Sequence, residues 1–273
     1  MNRFRMKEFH ETQYCPQCWR DGMTNFLAFF VIHTDVYHQA VPFVDKLLRQ
    51  SGEDTLIDLC SGNGLYMSQL LSSLKKLAPK RDLKAILTDR YPTRSSVCEI
   101  GKLKNENVQY FHEAIDALDA LRKLPGLHVM FSALHHFDEE ELTALLQSAA
   151  SNRRPLAFFD YSRRNLPAEI LPLLLAPLLI FLLAPLIRPF SWRQLFFIYV
   201  VPVIPLLVMV DGFISRLRSY NCQELSEIIK TLGDTPGYHW QSGKFISMMG
   251  LCSVRFIIGT PDFDKTGLPA SAD

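Results

Sequence analysis

Thr55-Leu56-Ile57-Asp58-Leu59-Cys60-Ser61-Gly62-Asn63-Gly64 is the stretch from which the fold of this chain is read. Leu56, Ile57 and Leu59 form an apolar run without alternation, as a strand buried on both faces of a parallel sheet requires. The run then breaks into two glycines, the residue that lets a backbone turn sharply beside a ligand. A strand, a glycine turn and a helix in that order open a nucleotide-binding crevice. Asp58 precedes the glycines, whereas the acid of a dinucleotide site follows them by about twenty residues, so its carboxylate suits a ligand carrying a positive amine.

Downstream, Leu65, Leu70, Leu71, Leu74 and Leu77 recur at helical spacing until Pro79. Leu83–Thr88 reads as a short strand ending at Asp89, and Tyr91-Pro92 delays the next helix until Ser95 or Ser96 can cap it. Further strands are expected at Val108–His112, at Leu127–Leu134 and at Pro155–Tyr161; His135-His136-Phe137 follows the second of these, and an acidic helix start follows Asp138. Upstream, residues 21–48 predict two helices, with Asp21 as an N-cap and a break near Pro42. Toward the end lie a helix at Gln223–Leu232 and two runs, Tyr238–Phe245 and Cys252–Ile258, that suit an antiparallel hairpin. This rhythm predicts an α/β, Rossmann-like doubly wound fold. Its mostly parallel seven-stranded sheet carries an antiparallel C-terminal strand and an apolar helical hairpin insertion. Asp58, Asp89 and His135 then fall at strand carboxyl ends, where such sheets bind ligands. The expected organisation is a helical cap at 1–50, a crevice domain at 51–165 and 211–262, the hairpin at 166–210 and a flexible tail at 263–273.

The 273 residues are 48% hydrophobic, ample for a sizeable core, and the net charge of +1 offers no general attraction to a polynucleotide. Nucleic acid is therefore not an expected partner. Six scattered cysteines and an opening Met-Asn-Arg-Phe-Arg-Met-Lys without an early apolar segment suit a reducing, cytoplasmic setting. Cys15 and Cys18 form one isolated C-x-x-C. A metal there needs two further ligands, which His10, His33 or His38 could supply only by fortunate folding, so no metal is expected. The alternative is a turn made by Pro16 with the thiols facing inward.

Ile170–Ile187 and Leu195–Val210 are strongly apolar and are joined by a loop holding Arg188, Trp192 and Arg193. As helices they reach about 27 and 24 Å, short of a hydrocarbon core of about 30 Å. Prolines at 172, 177, 185, 202 and 205 interrupt both. A full span would carry both arginines away from the side holding the crevice domain, against the positive-inside preference. Three readings stay open: shallow insertion into the cytoplasmic membrane face, a true span, or a soluble lid over an oily substrate. Each sets an apolar surface beside the crevice.

Taken together, Asp58-Leu59-Cys60-Ser61-Gly62, Leu87-Thr88-Asp89 and Phe131 with His135-His136-Phe137 resemble the class I S-adenosylmethionine-dependent methyltransferases. The same residues, with Tyr14-Cys15-Pro16 and Arg20-Asp21 before them and Arg188-Pro189-Phe190, Asp211-Gly212, Leu217-Arg218 with Tyr220, and Gly259-Thr260-Pro261 after them, more narrowly resemble a largely uncharacterised bacterial group of such proteins. The resemblance implies S-adenosylmethionine as cofactor. It implies that Asp58 and the backbone around Cys60, Gly62 and Gly64 hold the methionine portion. Asp89 would take the ribose hydroxyls, Asp116 would face the adenine amine, and Phe131 and Ser132 would line the cleft. The broad class more often has glycine at Cys60, and the narrower group often has Gly-Pro-Trp where Leu65-Tyr66-Met67 stands here.

A sulfonium methyl is already activated, so in-line positioning can supply much of the catalysis, with a base needed only when the acceptor carries a proton. His136 is the first candidate for that base and Tyr14 the second, although a histidine pair after a strand can equally fix a loop. The apolar insertion directs the expected acceptor to a hydrophobic small molecule or lipid, with membrane contact through residues 166–210. Two alternatives stand beside this reading. One is a non-catalytic, methyltransferase-like membrane-surface scaffold. The other is a nicotinamide oxidoreductase, whose turn needs a third glycine where Met67 stands.

Overall fold

Strand β1 (Thr55–Leu59) lies inside a seven-stranded sheet in the computed structural model, which describes residues 6–92, 94–102, 107–111, 113–161, 166–247 and 252–263. Leu56 enters the core on one face of the sheet, and Ile57 and Leu59 enter the core on the other. This two-sided burial is why the run shows no polar alternation. In parallel, β1 pairs with β2 (Lys84–Leu87) and β4 (Leu127–Phe131), β2 with β3 (Val108–Tyr110), and β4 with β5 (Leu156–Asp160). Antiparallel to β5 runs β7 (Cys252–Pro261), which pairs at the sheet's edge with β6 (Tyr238–Ser247). The order is β3-β2-β1-β4-β5-β7-β6, a Rossmann-like doubly wound sheet with the expected antiparallel C-terminal strand. Connections diverge between β1 and β4, and a crevice opens at such a switch point.

Helices α1 (Gln17–Thr34), α2 (Val41–Ser51), α3 (Leu65–Leu77) and α4 (Arg94–Lys102) contribute to the core on one face. The other face is covered by α5 (Ala117–Lys123), α6 (Glu139–Ser151) and α10 (Cys222–Thr231). Two expected helix starts are corrected. Pro16 occupies the N-cap position of α1, so Asp21 lies inside the helix and accepts a 2.8 Å hydrogen bond from Gln17 Nε2. Helix α4 begins at Arg94, which puts Ser95 and Ser96 in its first turn. The closing strands run further than expected because their pairing extends from Tyr238 opposite Pro261 to Ser247 opposite Cys252. From residue 264 onward, the expected flexible tail lies outside the described residues.

The insertion is a helical hairpin whose second arm is itself broken. After α7 (Leu166–Leu183), the second apolar run divides into α8 (Trp192–Tyr199) and α9 (Val203–Arg218), bent by 77°. Pro202 is the N-cap residue of α9 and lacks the N–H that would continue α8. Beyond residue 210, α9 carries on to Arg218. Among the described residues no single helix is long and apolar enough to cross a membrane, although the bent α8–α9 pair meets the length and composition together. Met23 and Phe26 of α1 share a buried core with Ile180, Ile198, Ile204 and Val208, so cap and insertion pack as one layer.

Candidate functional site

At the carboxyl ends of β1, β2 and β4 lies a cavity of about 320 Å³, within the size range of small-molecule sites. Its floor is two loops zippered together. Thr88 N–H and Thr88 Oγ1 both donate to Asp58 O, at 2.9 and 2.8 Å, and Ser61 N–H donates to Thr88 O at 2.9 Å. Asp89 then reaches across, its Oδ2 accepting from Gly62 N–H and its Oδ1 from Tyr91 N–H, each at 2.8 Å. Each oxygen keeps a further lone pair for a ligand.

The turn needs its glycines. Gly64 has φ +71°, and a Cβ there would stand 2.3 Å from Leu87 Cδ1. Cys60 and Ser132 also hold left-handed backbone, at φ 57° and 58°, and are two of the four described non-glycine residues that do. Such conformations cost about 1–3 kcal/mol and tend to gather at functional sites. Ser132 is fixed by a 2.7 Å hydrogen bond between its Oγ and Tyr37 Oη.

Asp58, Cys60, Gly62 and Gly64 line the cavity from β1 and its turn. Asp89 and Asp116 face it from the ends of β2 and β3, and Phe131, Ser132 and His136 from the end of β4. Asp116 is at the same time the N-cap of α5, accepting from Asp119 N–H at 2.9 Å, so the helix-start alternative holds alongside its place at the cavity. Tyr14 is the exception and a correction: its side chain is 77% exposed and does not line the cavity. Its neighbour Cys15 takes the inward position in that turn.

Asp58 is 6% exposed, and burial pushes its carboxyl up to about 7, with Ser61 opposing and Asp89 reinforcing the shift. Burial likewise raises Asp89, against the two N–H groups that it accepts from. Two poorly solvated acids at adjacent strand ends favour a ligand that brings positive charge and hydroxyl donors.

Beyond the methionine end of the expected site, the chain builds a polar cluster that the sequence did not announce. His136 Nδ1 contacts Glu11 Oε1, and Arg218 donates to that oxygen at 2.6 Å and to His136 O at 2.6 Å. His10 Nδ1 pairs with Asp211 Oδ2 at 3.1 Å, and its ring meets that of His136 edge-on at 5.3 Å. His135 is structural: Asp160 Oδ2 accepts from its backbone N–H at 3.1 Å and contacts its Nδ1 at 2.6 Å. Burial and the neighbouring His135 hold the His136 imidazole below its usual range, despite Glu8 and Glu11. Glu11 is held down at about 2, burial being outweighed by His136 and Arg218. Arg20, Thr24 and Leu27 bring α1 to the same cavity. Arg20 and Arg218 stand among the residues carrying the family resemblance, whereas Glu8 and Glu11 precede any motif and gave no signal, and His10 entered only as a possible ligand beside Cys15 and Cys18.

The fold and site define a Rossmann-like α/β protein with an acid-lined cavity at its switch point. No known family model matches the chain, and no curated protein matches it in sequence. Among solved structures it is similar to an O-methyltransferase family protein from Burkholderia thailandensis, at 16% identity and TM-score 0.46 over 87% of this chain and 59% of that one. Human N-acetylserotonin methyltransferase in complex with SAM aligns at 13% identity and TM-score 0.47, over 94% of this chain and 63% of that one. The citrinin polyketide synthase CMeT domain aligns at 13% identity and TM-score 0.49, over 83% of this chain and 55% of that one. This chain therefore spans between 55% and 63% of the length of the three.

Proposed function

We propose that this chain is an S-adenosylmethionine-dependent methyltransferase acting on a hydrophobic small molecule or lipid-like acceptor. The carrying observation is that Asp58, Asp89 and Asp116 converge on one cavity floored by a left-handed Cys60 and a glycine turn. The residues fit the cofactor: a buried carboxylate favours its ammonium group, an acid with free lone pairs favours its ribose hydroxyls, and Asp116, which lines the same cavity, would face its adenine amine. When bound, the cofactor supplies an activated methyl group on a sulfonium. The chain's part is to hold that group and the acceptor in line and to exclude water.

Where the acceptor carries a proton, His136 takes it. The ring lines the cavity, Glu11 holds its Nδ1 edge, and its lowered pKa keeps it unprotonated near neutrality. An oily acceptor is supported by the apolar side chains that line the cavity from α1 and the end of β4, Leu27, Ala28, Val31 and Phe131. Membrane contact through residues 166–210 is supported by the exposed apolar side chains of the insertion, including Leu174, Leu178 and Leu182 on α7 and Trp192 on α8.

The test is calorimetric titration with S-adenosylmethionine, followed by transfer of labelled methyl to lipid and small-molecule extracts. Binding with a labelled apolar product is expected. Absence of binding would overturn the enzyme reading, and binding without product across all extracts would favour a membrane-surface scaffold.

A further inference from the structure

Beside the rings of His10 and His136 stands a buried carboxylate, Glu8. Glu8 is 2% exposed, and its Oε1 has no hydrogen-bond partner among the described residues. Glu8 Oε2 is 3.5 Å from His10 Nδ1, and Oε1 is 3.8 Å from His136 Nδ1. His135 Nε2 and Arg218 Nη1 lie 3.6 and 3.8 Å from Oε1, also beyond hydrogen-bonding range. A buried carboxylate left in this state is strongly disfavoured unless a cation engages it.

Ligand atoms from Glu8, His10 and His136 all lie within 4.8 Å of one another. Donors bound at about 2.0–2.1 Å around a tetrahedral ion stand about 3.3 Å apart, so small side-chain adjustments would close the set. A divalent ion would engage Glu8 Oε1, which no hydrogen-bond donor among the described residues reaches.

We propose that Glu8, His10 and His136 bind a first-row divalent transition-metal ion at the wall of the cavity. Two nitrogens and one carboxylate suit zinc, iron(II), manganese or cobalt better than magnesium or calcium. His10 and His136 line the cavity, so the ion's open positions face the space available to an acceptor. On the methyltransferase reading, on which only this chemical role rests, the ion binds an acceptor hydroxyl and lowers its pKa. The hydroxyl proton then leaves to solvent, the oxygen lone pair forms the bond to the methyl carbon, and the methyl–sulfur bond breaks with its electron pair left on the now neutral sulfur of the departing cofactor. His136 is a ligand in that form, and the ion replaces it as the agent of deprotonation.

The experiment needs no methyl transfer, so its outcome is separate from that reading. The full chain, stripped by a chelator, is titrated with Co²⁺ and followed by visible d–d absorption, with metal content measured after desalting. One equivalent per chain is expected, with affinity falling at least tenfold in Glu8→Gln and in His10→Ala. The same stoichiometry is expected in a Cys15→Ser, Cys18→Ser double variant and in His239→Ala, which lies away from the cluster. Failure of the wild-type chain to retain stoichiometric Co²⁺ would overturn the proposal. So would a thiolate charge-transfer band that disappears with Cys15 and Cys18, or unchanged affinity in Glu8→Gln.

Discussion

Replacing Asp58 with Asn is expected to stabilise the ligand-free protein while impairing its ability to bind cofactor. Burial raises the Asp58 carboxyl from an ordinary value near 3.8 to about 7. The folded chain therefore keeps this proton up to about pH 7, whereas the unfolded chain releases it near pH 4. Between those values the unfolded state binds fewer protons, so unfolding free energy falls as pH rises through the window and levels off above it. At about 1.36 kcal/mol per pH unit the whole window is worth about 4 kcal/mol, of which roughly 3 falls between pH 5 and pH 8. Other groups titrate over the same range, so the informative quantity is the wild-type-minus-variant difference. Urea unfolding of both ligand-free proteins at pH 5 and pH 8 measures it. Asp58→Asn should gain on the wild type by about 2–3 kcal/mol between the two pH values. Its affinity for S-adenosylmethionine should fall by about 10- to 150-fold, the worth of a charged hydrogen bond. A difference independent of pH, or a variant that loses ground at pH 8, would refute the reasoning about the buried acid.

Asp89→Ala should weaken both S-adenosylmethionine and adenosine by about tenfold or more in calorimetry, because the ribose hydroxyls lose their acceptor; equal affinity for adenosine would remove Asp89 from the site. Gly64→Ala forces a Cβ into left-handed backbone beside Leu87 Cδ1 and should lower unfolding free energy by about 2–4 kcal/mol in urea, whereas a neutral result would mean that the turn has another conformation. Leu174→Glu with Leu182→Glu, both at exposed positions, should leave the melting temperature nearly unchanged but abolish co-sedimentation with anionic vesicles. Wild-type protein released from those vesicles by salt alone would rule out insertion into the bilayer.

The crevice could be read from the sequence because its chemistry is local. One strand, one turn and one acid occupy ten consecutive residues, and the same strand–acid pattern recurs at Asp89. Backbone geometry alone then carries both acids to the ends of parallel strands. The second half of the cavity is assembled differently. Glu8 and Glu11 meet His136 and Arg218 across the full length of the fold, and no spacing rule connects residues brought together by tertiary packing. Tyr14 was misplaced for the same reason: a tyrosine beside a Cys-Pro turn reads as available, but only the fold decides which neighbour points inward. The hairpin's second arm divides at one proline. Its apolar run is continuous in sequence, and whether Pro202 kinks a helix or ends it depends on what the next segment packs against.

That packing explains why cap and insertion should not be treated as independent modules. Arg20, Thr24, Leu27, Ala28 and Val31 recur at helical spacing and give α1 one face toward the cavity. Met23 and Phe26 give it another, buried against Ile180, Ile204 and Val208 of the insertion. Gly22 marks the close approach, since a Cβ there would stand 2.6 Å from Ile204 Cδ1. The two faces belong to one helix, and a well-packed core transmits displacement instead of absorbing it. The apolar layer of the insertion and the wall of the cavity therefore share one helix. The same holds along α9, where Asp211 accepts from Phe9 N–H and His10 N–H, and Arg218 at its end holds Glu11 and the His136 carbonyl. The helix that begins after Pro202 in the apolar layer thus ends by positioning the polar cluster, so the chain path itself joins surface and site.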